Sequence, residues 1–223
     1  MKIILIGKNS GLYRNFKLYF DGFIDEAISH RDLHKIKFSK SDVLIILSFT
    51  FNKNSQDYFI NLLKKTSASQ VIVFSTAACL VSEKIKCYAY PDFKLQSEKN
   101  FMKAIPETVI FRFGTIIDYQ SRHFYRGTYV TEISDVVNAI KSAIKLNLKS
   151  KVISMYSFCK FTNKNSFEYL LYKFYCKLIL RMSCPCLLRP LDLILRLVFG
   201  YKWYGYGALS VAIGKLSNNE KNI

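Results

Sequence analysis

Acidic residues are scarce in this chain, since 16 Asp and Glu stand against 33 Lys and Arg and the formal net charge is +17. Such an excess disfavours a cationic partner and favours anionic ones: phosphates, nucleotides, nucleic acid or an anionic membrane surface. A competing explanation is compositional bias. A chain rich in Lys, Asn, Ile, Phe and Tyr scatters lysine over its solvated faces.

Several recognisable patterns are also missing. None of the six cysteines forms a CxxC pair, and His30 and His34 lack a third ligand candidate, so we expect no metal site and reduced, mostly buried thiols. No uninterrupted apolar run reaches the length of a membrane span, and no signal peptide is recognised, so we expect a cytoplasmic protein. The helix-turn-helix, zinc-finger and RNA-recognition patterns are absent, which argues against specific nucleic-acid binding.

What is present is an alternation of apolar runs with helical periodicity. Runs typical of buried strands occur at Ile3–Ile6, Val43–Leu47, Val71–Phe74 and Val109–Phe113, and weaker ones at 27–29 and 152–155. Helical patterns lie between them, at 12–20, 55–65, 90–102 and 133–144. The alternation predicts an α/β protein with a doubly wound parallel sheet and helices on both faces.

Ligands of such sheets bind beyond the carboxyl ends of the strands. Gly7, Ser48, Thr76 and Gly114 all fall at predicted strand ends. Their agreement in position is stronger evidence for a site than any one of these residues.

Tyr90 and Lys94 give this edge a candidate chemistry. If the segment is helical, the two side chains lie one turn apart on one face. A cationic lysine there favours the phenolate and is expected to lower the tyrosine pKa from about 10. Thr76 can hydrogen-bond the same substrate oxygen, and the trio is suited to acid/base chemistry on an alcohol or carbonyl.

The order of these motifs resembles a known family. The chain resembles the extended short-chain dehydrogenase/reductase family, in its NAD-dependent epimerase/dehydratase branch. The resemblance is carried by a strand followed by Gly7, a strand ending in Ser75-Thr76, Tyr90-x-x-x-Lys94, the segment 111–115 (Phe-Arg-Phe-Gly-Thr) and the segment 130–136. The resemblance covers about residues 1–156. It implies a Rossmann-like fold and a nucleotide-sugar epimerase, dehydratase or reductase of surface-polysaccharide synthesis.

The resemblance also implies residue roles. Tyr90 is the acid/base, Lys94 lowers its pKa and binds the nicotinamide ribose, and Thr76 orients the sugar oxygen. The substrate-binding candidates are Ser75, Arg112 and Gly114. The cofactor-binding candidates are Gly7, Ser10, Gly11, Arg31, Asp32, Ser48 and Lys94.

The chain departs from the family in its cofactor loop. The expected glycines fall on Gly7, Ser10 and Tyr13, so only the first is in place, and Gly11 is displaced by one position. Tyr13 is bulky where the family packs its helix closely on the sheet.

After the second strand, Asp32 suits NAD and Arg31 suits NADP, and the choice between the two cofactors stays open. The stretch between Ile28 and Val43 is too short for the third strand and its helix.

The C-terminal region changes in character. We divide the chain into a dinucleotide-binding domain, 1–156, and a small, mostly helical extension, 157–223. Between Lys160 and Lys202 eight basic residues stand against Glu168 and Asp192. The extension either packs on the sheet and caps the substrate cleft, with its basic stems covering apolar surface, or contacts a membrane interface through 166–205.

Two functional hypotheses follow. The first is an NAD- or NADP-dependent enzyme acting on a nucleotide sugar, or on a lipid-linked sugar if the extension contacts the inner face of the membrane. The alternative is a non-catalytic Rossmann-fold protein, a dinucleotide sensor or a membrane-associated assembly partner. The family often dimerises through two helices, here 55–65 and 90–102, so a homodimer is a further expectation.

Overall fold

The computed structural model describes residues 1–35, 38–47, 53–65, 68–84, 89–121 and 128–159, and nine single positions beyond them. Those positions are 167, 170, 171, 173, 174, 177, 190, 194 and 197. The predicted helical extension, 157–223, therefore lies largely outside the described residues.

The centre of the fold is a six-stranded parallel sheet with the order β2-β1-β3-β4-β5-β8. Its strands are β1 (Ile3–Ile6), β2 (Glu26–Ile28), β3 (Val43–Ile46), β4 (Gln70–Thr76), β5 (Val109–Phe113) and β8 (Lys151–Met155). The strands β1 and β3 are apolar on both faces, and β5 is apolar except for Arg112; all three are almost fully buried, as expected for a parallel sheet with helices on both sides.

Helices cover both faces of this sheet. They are α1 (Gly11–Phe20), α2 (Lys53–Lys64), α3 (Cys79–Lys84), α4 (Ala89–Ala104) and α5 (Ile133–Lys145). Residues of α1 and α5 share one core cluster with Leu5, Ile45 and Ile72. Residues of α2 and α4 share the other with the alternate strand positions Ile4 and Leu44. The predicted doubly wound, Rossmann-like architecture is confirmed.

The connection from β2 to β3 is short. Its described residues contain a 3-10 helix, His30–Lys35, and no further strand. The sheet order agrees, because β3 pairs with the other edge of β1 and leaves β2 at the rim. The expectation that a strand and helix are missing here holds for the residues that the structure describes.

A second, three-stranded sheet was not predicted. It consists of β6 (Thr115–Ile117), β7 (Tyr129–Glu132) and β9 (Ser157–Phe158), in the order β6-β7-β9. β9 pairs antiparallel with β7, so the first residues assigned to the C-terminal extension belong to this small sheet. The boundary at 156 stays a prediction.

Candidate functional site at the carboxyl edge of the sheet

Parallel strands bring their carboxyl ends to one edge, and most candidate residues lie there. Gly7 follows β1, Ser75 and Thr76 end β4, and Gly114 follows β5. Only β3 separates β1 from β4, so the two strand ends lie about 10 Å apart. Ser48 lies outside the described residues.

The turn after β1 needs its glycine. Gly7 has a φ of 125°, which L side chains rarely adopt. The backbone N–H groups of Gly7 and Lys8 both donate to the carbonyl of Ile28, each at 2.9 Å, and so fix the turn against β2. Ser10 then caps α1, because its Oγ accepts from the N–H of Tyr13 at 3.1 Å.

The start of α1 is open to a ligand. A Cβ built on Gly11 would meet nothing within 4 Å. The first turn of α1 carries no acidic residue, and its N–H groups point out of the helix. An anionic group is therefore suited to this position.

Tyr13 does not occupy that space. Its side chain is only 7% exposed and joins the core between α1 and the sheet, with its ring 6.1 Å from that of Phe20. Its Oη donates to Asp21 at 3.4 Å, and burial raises the pKa of Tyr13. The Tyr13 side chain, at the third glycine position, is therefore accommodated in the hydrophobic core.

The end of β2 places both ribose candidates in the 3-10 helix. Asp32 accepts from Lys35 Nζ at 2.7 Å, and this hydrogen bond lowers the pKa of Asp32. The backbone N–H of Arg31 donates to Ser29 Oγ at 3.3 Å. Both candidates lie at the predicted edge, and the Asp32 carboxylate already has a cationic neighbour.

Tyr90 and Lys94 come together in the first turns of α4. Lys94 Nζ lies 5.7 Å from the centre of the Tyr90 ring, so the predicted helical pairing is found. Burial lowers the pKa of Lys94 to about 8, whereas burial and the nearby Cys79 raise the pKa of Tyr90. The expected lowering of the tyrosine pKa is therefore wrong for the protein without ligand. Desolvation of the phenolate is the main cause of the raised pKa of Tyr90.

The hydroxyls at the end of β4 hold the next turn. Thr76 Oγ1 accepts from the N–H of Ala78 at 3.2 Å, which begins the turn into α3. Ser75 Oγ lies 3.5 Å from Cys79 Sγ. Burial raises the pKa of Cys79 to about 12, so this thiol is an inert neighbour of the site.

An ion cluster with a buried Arg112–Glu98 pair lies close enough to Lys94 for the charge of Glu98 to act on it. Arg112 binds Glu98 through Nε and Nη2, with a shortest contact of 2.7 Å, and Glu83 accepts from the same Nη2 at 2.8 Å. Glu98 is 3% exposed. Burial alone would lower the pKa of Arg112, but the hydrogen bond and charge of Glu98 raise it. Arg112 forms these ion pairs, and its predicted substrate contact stays a prediction.

Gly114 has a steric role. A Cβ there would lie 2.5 Å from the carbonyl oxygen of Tyr129, and the Gly114 N–H donates to Thr131 Oγ1 at 2.9 Å. The glycine therefore lets the end of β5 approach β7. Its predicted substrate contact stays a prediction.

Sequence reasoning assigned no role to Cys79, Glu83 or Glu98. For Glu98 a signal existed, because Tyr90, Lys94 and Glu98 follow one another at helical spacing on one face of α4. The positions of Cys79 and Glu83 depend on α3, a short helix that was not predicted.

Comparison with solved structures supports the fold. The chain is similar to the capsular polysaccharide assembling protein CapF from Staphylococcus aureus, with a TM-score of 0.50 and 14% identity over 95% of this chain and 65% of CapF. It is also similar to the Bordetella bronchiseptica enzyme WbmG in complex with NAD, with a TM-score of 0.52 and 11% identity over 70% of this chain and 72% of that one. A third is UDP-N-acetylglucosamine 4-epimerase from Bacillus cereus, with a TM-score of 0.51 and 14% identity over 79% and 85%.

No protein-family model matches the chain, and no curated protein matches it. The structural likenesses, at these low identities, establish a shared fold. The chain spans 65% of the length of CapF, less than two thirds.

Proposed function

We propose that the chain is an NAD- or NADP-dependent oxidoreductase or isomerase that acts on a nucleotide sugar. The observation that carries the proposal is the pairing of Tyr90 with Lys94 in the first turns of α4. The pair lies near Cys79, whose Sγ is 3.5 Å from Ser75 Oγ at the carboxyl end of β4. Ligands of doubly wound sheets bind at this edge.

The residues at this edge fit a dinucleotide. Gly7 and Ser10 shape the turn, and the open space at Gly11 leaves the start of α1 accessible to a pyrophosphate. Asp32 or Arg31 would bind the adenosine ribose, and Lys94 the nicotinamide ribose. When bound, the nicotinamide would supply the hydride acceptor or donor.

The chain's own groups would handle the proton. In the free protein Tyr90 is a protonated phenol at neutral pH, because its pKa is raised. It can donate a proton to a carbonyl oxygen directly. To accept a proton from an alcohol, Tyr90 must first lose its own proton to solvent. The phenolate then needs the charge of Lys94 close by, and Lys94 loses that charge above about pH 8. Thr76 would orient the reacting oxygen.

Similar structures suggest the substrate class. WbmG was crystallised with NAD, and the Bacillus cereus protein is a UDP-N-acetylglucosamine 4-epimerase. CapF is a capsular polysaccharide assembling protein. These likenesses support a nucleotide sugar as substrate and surface-polysaccharide synthesis as the setting.

Turnover of UDP-sugars tests the proposal. The protein is incubated with NAD or NADP and a panel of UDP-hexoses and UDP-N-acetylhexosamines, and products are separated by chromatography. Tyr90→Phe should reduce kcat by about 100-fold to 10,000-fold, because it removes the acid/base. The matched control is Tyr58→Phe, which changes an exposed tyrosine on α2 and should leave kcat unchanged. Equal activity in Tyr90→Phe would reject Tyr90 as the acid/base, and the absence of turnover of any sugar would reject the enzyme.

A second candidate is a dinucleotide-binding protein without catalysis. The raised pKa of Tyr90 favours it, since a tyrosine that keeps its proton is a poor base. Dinucleotide binding without turnover of any sugar would support this candidate.

A further inference from the structure

The C-terminal extension exposes large apolar side chains. Phe167, Leu170 and Phe174 are helical and 71%, 55% and 62% exposed. Their spacing of three and four residues puts them on one face. Water-facing residues of this size, repeated at helical spacing, normally mark a contact surface.

Basic residues flank this face. Lys173 and Lys177 are exposed and helical, and they lie one turn apart. In sequence, Lys173 directly precedes Phe174, and Lys177 follows it by three residues. We call Phe167, Leu170, Lys173, Phe174 and Lys177 together the basic apolar face.

The same combination recurs further along the chain. Ile194 and Leu197 are helical and 56% and 76% exposed. Arg189 and Arg196 are close to them in sequence, and the whole stretch from Lys160 to Lys202 has eight basic residues and two acidic ones.

At the described positions, these observations favour contact with a membrane interface over packing on the sheet. Side chains that cap a cleft or pack on the sheet are shielded from water, and these five apolar side chains are more than half exposed. Among the described residues, no helix is long and apolar enough to cross a membrane. The described faces therefore have the character of helices that lie in an interface.

Charge identifies the occupant. A second copy of the chain carries the same net charge of +17 and would place its own Lys173 and Lys177 at this face, so repulsion opposes that pairing. An anionic lipid surface attracts the lysines, and its acyl boundary accepts Phe and Leu side chains. We propose that the basic apolar face docks on an anionic membrane surface and holds the protein there peripherally. This inference does not depend on the proposed function.

Vesicle flotation tests the inference with the full-length protein. We expect flotation with vesicles of equal parts phosphatidylglycerol and phosphatidylcholine, and little with phosphatidylcholine alone. The triple variant Phe167→Ser, Leu170→Ser, Phe174→Ser should lower the bound fraction by at least about tenfold. The double variant Lys173→Glu, Lys177→Glu should lower it by a similar factor.

A matched control substitutes exposed residues of comparable size elsewhere. Leu18→Ser with Tyr58→Ser changes side chains that are 89% and 64% exposed on α1 and α2, and should float like wild type. Unfolding temperatures of all variants should agree, because the substituted positions are exposed. If the triple serine variant is unstable, the lysine variant decides.

Three results would overturn the inference. Wild type that does not float with anionic vesicles rejects it directly. A serine variant that floats like wild type shows that net charge alone drives binding. A dimer by light scattering that the serine variant converts to monomer shows that a second copy covers the face.

Discussion

At the scale of single residues, Gly114 shows how a site residue can be fixed by packing. A Cβ at this position would meet the carbonyl oxygen of Tyr129 at 2.5 Å and the backbone nitrogen of Val130 at 2.9 Å. Both obstacles are backbone atoms of β7, which cannot rotate away as a side chain can.

Gly114→Ala is therefore expected to destabilise the fold. Overpacking against backbone typically costs about 1–3 kcal/mol in the free energy of unfolding, measured by urea titration. Gly22→Ala is the control, since a Cβ there would meet nothing within 4 Å. If both variants unfold at the same urea concentration, the close approach of β5 to β7 is not as described.

Lys94 illustrates a conflict between stability and function. Burial lowers its folded-state pKa from 10.5 to about 8, so between these pH values the unfolded chain binds more protons and stability rises with pH. Below pH 8 the lysine is charged in both states, and the burial cost is fully present.

Lys94→Met keeps the stem but removes the charge. We expect the free energy of unfolding at pH 7 to rise by about 1–2 kcal/mol, after allowance for solvent screening. The increase of stability between pH 8 and 10.5 should shrink. Lys99→Met, an exposed position on α4, is the control. A variant that is less stable at pH 7, with the pH dependence of wild type, would contradict this account.

At the scale of elements, one ion cluster joins α3, α4 and β5. Glu83 comes from α3, Glu98 from α4 and Arg112 from β5. The cluster supports the helix turn that carries Lys94, since Glu98 lies one turn further along the same face. Breaking it should loosen the packing of α4 on the sheet.

Arg112→Met should cost about 3–5 kcal/mol in the free energy of unfolding, because it leaves Glu98 buried without its cation. Adding Glu98→Leu should recover part of that loss, which a double-mutant cycle measures. Lys149→Met, which breaks the exposed Lys149–Glu107 pair, should cost at most about 1 kcal/mol. Equal losses from Arg112→Met and Lys149→Met would show that the cluster does not hold the elements together.

The helix α1 shows what the sequence pattern leaves undetermined. From the glycine pattern alone, the bulk of Tyr13 was expected to disturb the packing of α1 at the cofactor loop. The structure buries Tyr13 in the core beside Phe20, on the side of α1 away from the open space at Gly11. Which way a bulky side chain turns depends on the packing of the whole helix.

Restoring glycine at this position should therefore do harm. Tyr13→Gly is expected to lower the free energy of unfolding by about 3–5 kcal/mol, by leaving a cavity in the core. Tyr13→Phe should cost less than about 1 kcal/mol, since it loses only the 3.4 Å contact with Asp21. Thermal and urea unfolding give both values. If Tyr13→Gly is as stable as wild type, the buried ring contributes nothing to the fold.

At the scale of the whole molecule, the large sheet was predictable and the small one was not. Buried parallel strands are continuous apolar runs such as Ile3–Ile6 and Val43–Ile46, which local pattern reveals. The strands β6, β7 and β9 are two to four residues long and pair over long sequence separations. Nothing in their local sequence encodes that pairing.

The candidate site divides in the same way. The positions of Gly7, Thr76, Tyr90 and Lys94 follow from strand ends and helical spacing, which the sequence carries. The raised pKa of Tyr90 and the partners of Arg112 follow from burial between elements distant in sequence. Those properties depend on tertiary packing.

The central claim is that the carboxyl edge of this sheet binds a nicotinamide dinucleotide, and titration of the wild-type protein with NADH and NADPH tests it most directly. Nicotinamide fluorescence reports binding without any assumption about the sugar. We predict saturable binding in the micromolar range for at least one of the two, and their ratio then identifies the preferred cofactor. The absence of saturable binding of either dinucleotide would contradict the account.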